Sequence, residues 1–431
     1  MRWLIVTRDR SWQSMASSGI TLEAVSSVSQ IPAEDWDACA NPSPAPDSVN
    51  GLDTLALPNA SGGLCAGLTA RYNPFVSHAF FSALETSGSA CARTGWGPRH
   101  LLARLDGAIA GIVPCYQKSH SQGEYVFDRG WAEAYERAGG RYYPKLQVSV
   151  PFTPAAGPRL LIPNGVDHER IGTALASGLV ALCDATKASS VHVTFAREAE
   201  WKMLAQHGFL QRTDQQFHWH NQGYGGFEDF LATLNSRHRK AIRRERRDAL
   251  ADGGITIHPL TGSDITEDAW DAFFAFYMET GSRKWGRPYL TRTFFSLIGE
   301  SMAKDVLLVM ARRNGRWIAG AINFIGSDTL FGRNWGAIEH HPFLHFEVCY
   351  YQAIDFAIRR GLKTVEAGAQ GEHKIARGYL PQTTYSAHYI ADPGLRRAIS
   401  DYLRHERAYV AEAARELTDA GPFRKTADEP S

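Results

Sequence analysis

Glycines, histidines, carboxylates and arginines alternate at short spacing between Phe331 and His388. Three patches stand out: Phe331-Gly332-Arg333-Asn334-Trp335-Gly336, Leu344-His345-Phe346-Glu347, and the run Gly368-Ala369-Gln370-Gly371-Glu372-His373-Lys374-Ile375-Ala376-Arg377-Gly378. A hydrophobic core needs none of these residue types, whereas a site that orders a polar substrate does. Glu347 and His345 are candidate proton acceptors. So are Glu372 and His373, which sit in a glycine-flanked loop after a strand, where polar groups often carry function. Lys374 and Arg377 suit a phosphate or carboxylate. Arg333, Asn334, Trp335 and Gln370 suit substrate contacts. Plainer roles compete with each: Glu347 opens a helix and suits its dipole, His345 fits a packed loop, and Lys374 and Arg377 fit solvated charges.

Two further groups lie upstream. Arg237, Arg239, Lys240, Arg243, Arg244, Arg246 and Arg247 make one helical stretch, 237–247, strongly basic. It reads either as a phosphate-contacting surface or as a solvated face tempered by Glu245 and Asp248. Lys284 and Trp285 are candidates to line an acceptor cleft, with a tryptophan buried under a turn as the alternative. No metal is expected: His340, His341 and His345 lack H-E-x-x-H spacing and Pro342 interrupts them, while His218 and His220 share a strand face without a third ligand.

The elements that must position these groups follow from pattern. Asp106-Gly107 and Asn314-Gly315 each separate two apolar runs, which predicts tight hairpins over 101–113 and 306–322. Helices are expected over 169–186, 198–206, 227–250, 270–278, 347–360 and 395–417, the 227–250 stretch as one long helix. Strands are expected over 20–31, 191–195, 209–220, 330–335, 364–367 and 385–390. Residues 1–19 read as a loose extension. The segment 41–67, rich in Pro, Ser, Gly, Ala and Asn, reads as a flexible insertion.

Bulk composition narrows the class. The chain has 431 residues, 44% of them hydrophobic, and a net charge of +1. The length favours two domains, and the charge balance does not suggest a dedicated nucleic-acid binder. No apolar run is long enough to span a bilayer, and the start lacks signal-peptide features. The six scattered cysteines, with no C-x-x-C pair, fit a reducing cytosol, so a cytoplasmic location is expected.

The two hairpins match: Ala108-Ile109-Ala110-Gly111-Ile112 aligns with Trp317-Ile318-Ala319-Gly320-Ala321. Both are followed by a helix and a strand, which predicts a tandem repeat of one mixed α/β unit. The expected organisation is an N-terminal extension over 1–70, repeats over 71–222 and 223–395, and a C-terminal helix and tail over 396–431. This order resembles what the acetyltransferase fold of the GNAT superfamily would give. The finer motifs resemble the FemAB-like family of predicted N-acyltransferases, of the peptidoglycan biosynthesis or recognition type. They include Asn73-Pro74-Phe75, Tyr142-Tyr143-Pro144-Lys145-Leu146, Pro151-Phe152-Thr153-Pro154, Arg237-His238-Arg239-Lys240, Lys284-Trp285-Gly286 and the Gly368–Gly378 run.

That resemblance implies two GNAT-like domains facing one cleft and transfer of an acyl or aminoacyl group to a small-molecule or peptide amine. No tightly bound cofactor is expected; the donor is a co-substrate, acyl-CoA or aminoacyl-tRNA. The usual GNAT pyrophosphate loop has no counterpart after Trp335-Gly336-Ala337, which keeps an aminoacyl-tRNA in play, with the basic helix 237–247 as its contact. A non-catalytic protein that binds a cell-wall precursor is the reading from a different class.

Overall fold

The computed structural model describes residues 12–15, 19–43, 72–251, 254–285, 288–368 and 371–424. Both expected hairpins form. Asp106 and Asn314 take left-handed backbone, φ 52° and 49°, and Gly107 and Gly315 follow at 87° and 79°, as a two-residue hairpin turn demands. His100–Leu105 pairs with Ala108–Val113, and Val306–Arg313 pairs with Arg316–Ile325.

Beyond each hairpin lies a parallel pair joined through a helix, the crossover that parallel strands require. In the first half Lys145–Val148 runs beside Ser190–Ala196, with the helix His168–Ala185 between them. In the second, Thr329–Ala337 runs beside Thr364–Glu366, with helical turns from Leu344 to Arg359 between them. The mixed α/β unit therefore occurs twice, in tandem.

Apart from the first hairpin, which lies in a separate four-stranded sheet, the two copies share one eleven-stranded sheet because their last strands are exchanged. Leu210–His220, from the first half, pairs with Thr364–Glu366 of the second. Leu380–Ile390, from the second half, pairs with Ser190–Ala196 of the first. The exchanged strands pair with each other at the centre: Leu210 faces His388 and His218 faces Leu380, so the register reads the same from either side. The expected boundary at 222/223 falls in a loop, yet the sheet runs across it. A second sheet of four strands includes Trp12–Met15 paired with Ile20–Val25, inside the stretch expected to be a loose extension. Most of the expected insertion, residues 44–67 of 41–67, lies outside the described residues.

Period-two alternation sorts the central strands into two faces. Phe217, Trp219, Leu330 and Val365 pack on Val348, Tyr351 and Ile354 of the helical segment. In the first half Leu146, Val148, Val191 and Val193 pack on Leu175, Leu179 and Leu182. The opposite face is buried but polar, carrying Gln147, His192, Thr194, Gln216, His218, Glu366 and His388. A buried polar face is costly unless paired or used.

Two helices differ from expectation. The stretch 227–250 breaks into Phe227–Thr233 and Ser236–Ala249. Leu234 between them is extended, with ψ 153°. The side chain of Asn235 caps the second helix by accepting from the His238 amide at 3.1 Å. Asn235→Ala is expected to cost about 1 kcal/mol, read as a lower denaturant midpoint at unchanged m. The helix expected from Glu347 instead begins at Leu344 and passes through a π turn over Glu347–Tyr351. Such single-turn π segments are frequent at functional sites. Composition gave no cue to the helices Arg129–Arg137 and Arg292–Met302.

Candidate active site

The second-half strands part. Thr329–Ala337 pairs with Thr364–Glu366 only over Thr329–Phe331. On its other edge the register shifts between Ala321 and Asn323, which places Arg333 and Asn334 in a bulge. A bulge bends its strand and re-aims side chains. Gly332 sits at the fork: a Cβ there would come 3.1 Å from the carbonyl oxygen of Glu366. Past Phe331 the ladder ends, and the neighbouring chain leaves through Gly368 at φ 78°.

Glu366 stands beside this gap on the polar face and is buried. Its cross-strand neighbour is His218, with Nε2 4.0 Å from Oε1. Burial pushes the Glu366 carboxyl up to about 8, against the opposing pull of Arg333, the Ala156 amide and Arg159. Burial, with His220 and Lys374 nearby, holds the His218 imidazole down at about 3, so it is neutral at pH 7. Arg333 donates to the Phe152 carbonyl. Its guanidinium lies 5.9 Å from the rings of both Phe75 and Tyr125. Arg159 is fully buried and donates to the carbonyls of Thr194 at 2.8 Å, Pro158 at 3.0 Å and Ala155 at 2.6 Å. A buried carboxyl with a raised pKa where a strand ladder ends is the kind of group that proton transfer uses.

Most of the sequence-selected residues lie on the other face. Glu347, at 1% side-chain exposure, accepts from Arg246 at 3.0 Å through both oxygens and from Gln352 at 2.7 Å. The structure thus gives it a buried ion pair. Arg377 is not a solvated charge: it is buried, donates to Glu245 at 2.9 and 2.8 Å and to the His373 carbonyl at 2.6 Å, and lies 3.4 Å over the Phe346 ring. Lys374 is also buried, donating to the Gly368 carbonyl at 3.1 Å, and burial lowers its amine to about 8. The His373 ring meets the Tyr350 hydroxyl at 3.0 Å. His345 packs 5.2 Å from Trp335 and 5.4 Å from Tyr350, ring to ring. Among the described residues, Arg333 of the selected set acts on the Glu366 carboxyl, with Asn334 beside it in the bulge.

The basic helix divides its side chains. Glu245 and Arg246 point inward, Glu245 also accepting from the Tyr351 hydroxyl. Arg237, Lys240 and Arg244 are exposed and share one helical face at i, i+3 and i+7. Arg239 is half-buried. Among the described residues Arg243 pairs with Glu228 and Arg247 with Asp248, and no ion pair forms at Arg237, Arg239, Lys240 or Arg244. Lys284 and Trp285 end the helix Glu267–Trp285. Their side chains, that of Glu372, and all of Gln370 lie outside the described residues. Among the described residues no group of histidines, cysteines and carboxylates could hold a metal ion.

A profile of the FemAB-like family, described as peptidoglycan biosynthesis/recognition, matches residues 27–425. The chain belongs to the FemAB-like family. A search of curated protein sequences finds no significant match. Among solved structures this FemAB-like chain is similar to FemX, at 12% identity over 72% of this chain and 92% of that one, with a TM-score of 0.47. It is also similar to a tandem GNAT protein from the clavulanic acid biosynthesis pathway, at 12% identity over 87% and 99%, with a TM-score of 0.44. A third is the L-PGS from Bacillus licheniformis, at 9% identity over 77% and 98%, with a TM-score of 0.46. No described helix is long and apolar enough to cross a membrane.

The repeat gives this FemAB-like chain an internal comparison. Where the second half sets Glu366 against His218, the first sets His192 against His388, with the two Nδ1 atoms 2.8 Å apart. Burial depresses both imidazoles. At the strand position of Glu366 the first copy carries His192, whose nearest carboxylate is Asp128, 3.9 Å away.

Proposed function

We propose that this protein is an N-acyltransferase in which an amine attacks an activated acyl group where strands Thr329–Ala337 and Thr364–Glu366 part. The observation that carries this reading is the buried, raised Glu366 carboxyl beside that gap. The attacking nitrogen must be neutral and must lose a proton as its bond to the carbonyl carbon forms. Glu366 accepts that proton, and the bond from carbon to the donor's leaving group then breaks. The backbone and side chains of Arg333 and Asn334, re-aimed by the bulge, supply hydrogen-bond donors to the tetrahedral oxyanion. Positioning supplies most of the rest, so no serine or cysteine nucleophile is needed. The acceptor is a small-molecule or peptide amine, and a peptidoglycan precursor fits the family description.

A Fem-type aminoacyl-tRNA donor is the second reading, favoured by the cationic stripe of Arg237, Lys240 and Arg244. If each contacts one phosphate, tRNA affinity is expected to fall roughly twentyfold to fortyfold between 50 and 200 mM salt. A salt-independent affinity would remove the stripe from the donor site. The deciding experiment incubates the purified chain with an amine-bearing peptidoglycan peptide and either acyl-CoA or aminoacyl-tRNA, and reads the products by mass spectrometry. A new amide from one donor is expected. Binding of the peptide without product from either donor would leave a non-catalytic precursor-binding protein and overturn the transferase reading.

A further inference from the structure

A cluster of buried ionisable side chains, Lys118, Glu124, Asp128 and Lys145, lies in the first half. Lys145 Nζ, with no exposed surface, donates to Glu124 at 2.6 Å, to Ser121 at 2.8 Å and to Asp128. Lys118 lies 3.8 Å from Glu124, donates to the Gln122 carbonyl at 3.2 Å and stands 3.5 Å over the Trp96 ring. Asp128 also accepts from the Tyr142 hydroxyl at 2.7 Å. Two lysines thus hold one short segment at Ser121, Gln122, Glu124 and Asp128. Nothing in the acyl-transfer chemistry above uses them.

What the segment carries between its anchors is Tyr125. Its φ is 62°, a left-handed conformation rare for a residue with a bulky side chain. Phe152 has φ 59° as well, donates its amide to the Gly123 carbonyl at 3.2 Å, and accepts from Arg333. Its ring stacks on Tyr289 with centroids 4.9 Å apart. Two strained aromatic residues of the first half therefore meet the same guanidinium of the second. Strain of this kind persists only where the surroundings over-determine it, and it gathers at functional sites.

We propose that Tyr125 is a positioning residue for Arg333, and that the buried lysine–carboxylate cluster is the clasp that holds Tyr125 in its strained conformation at the cleft. This rests on the acyl-transfer reading only for its effect on rate. The clasp explains why the first half keeps four buried ionisable side chains: it delivers a side chain to Arg333 of the second half. It also explains how a costly arrangement of buried ions is used, since a paired buried cluster fixes geometry more firmly than it stabilises.

Tyr125→Gly tests the proposal because glycine tolerates the left-handed backbone. The melting temperature is expected to hold or rise, while kcat falls by about tenfold or more with KM for the amine nearly unchanged, the pattern of a lost transition-state contact. Tyr125→Phe keeps the ring and is expected to restore most of the rate. Glu124→Gln, which loosens the clasp without removing the acceptor oxygen, is expected to speed amide exchange over residues 121–128. Amide exchange at residues 332–335 needs no substrate and is expected to rise in both Tyr125→Gly and Glu124→Gln. A lower melting temperature with kcat intact in Tyr125→Gly would make Tyr125 merely structural. Unchanged exchange at 332–335 would overturn the positioning role, even if no donor supported turnover and the transferase reading itself failed.

Discussion

Glu366→Gln is expected to lower turnover by about 10²- to 10⁴-fold, the range for loss of a general base, in a chain that remains folded. The substitution keeps the shape and an acceptor oxygen but cannot take a proton. The wild-type rate is expected to rise with pH through about 8, where the carboxyl ionises, and the variant's residual rate to lack that rise. Stability moves in the opposite direction. A carboxyl raised from 4.5 to about 8 in the folded chain contributes stability that is complete below the unfolded value. That contribution is lost as pH climbs through the folded one. The Gln variant should therefore match the wild type near pH 4 and melt higher than it at pH 8 to 9. Turnover and melting measured across this range check both signs, and a variant with an intact rate would remove Glu366 from the chemistry.

Arg246→Ala should produce the largest loss of stability. It strands the Glu347 carboxylate, at 1% exposure, without its bidentate partner. Breaking a buried pair from one side costs about 3–5 kcal/mol; Arg246 is itself 25% exposed, so a loss of about 3 kcal/mol is expected. Adding Glu347→Gln should recover part of it, because the stranded charge is gone. Denaturant melts of the two single variants and the double variant give the coupling directly. Strictly additive losses would show that the pair does not lock the π turn to the basic helix.

The sequence made the scaffold legible and the chemistry less so, for a physical reason. Hairpins announce themselves through two residues, Asp106-Gly107 or Asn314-Gly315, whose backbone needs are local. The tandem unit followed from that local signal, and the family profile agrees with the motifs that resembled it. The Gly368–Gly378 run looked chemical because charged residues between glycines usually face solvent. Lys374 and Arg377 instead turn inward, a tertiary outcome that spacing does not encode. Glu366 was hidden for the converse reason: it is one alternating position in a short strand. Its meaning depends on Arg159, Arg333 and His218, the last brought beside it by an exchanged strand that no local pattern reveals. The break at Asn235 was readable in principle, since asparagine before Ser-Arg-His is a helix cap, but the basic run on one side and the apolar run on the other looked continuous.

The exchanged strands also set a timetable for the chain's birth. Ser190–Ala196 finds one of its sheet neighbours only in Leu380–Ile390, and 196 residues separate His192 from His388. At the usual pace of synthesis, about 5–20 residues per second, the first copy waits roughly ten to forty seconds with that edge bare. A bare strand edge is a template for wrong pairing. The first half cannot be finished by its own residues, so it emerges from the ribosome as an unfinished sheet that needs shielding until Leu380–Ile390 arrives.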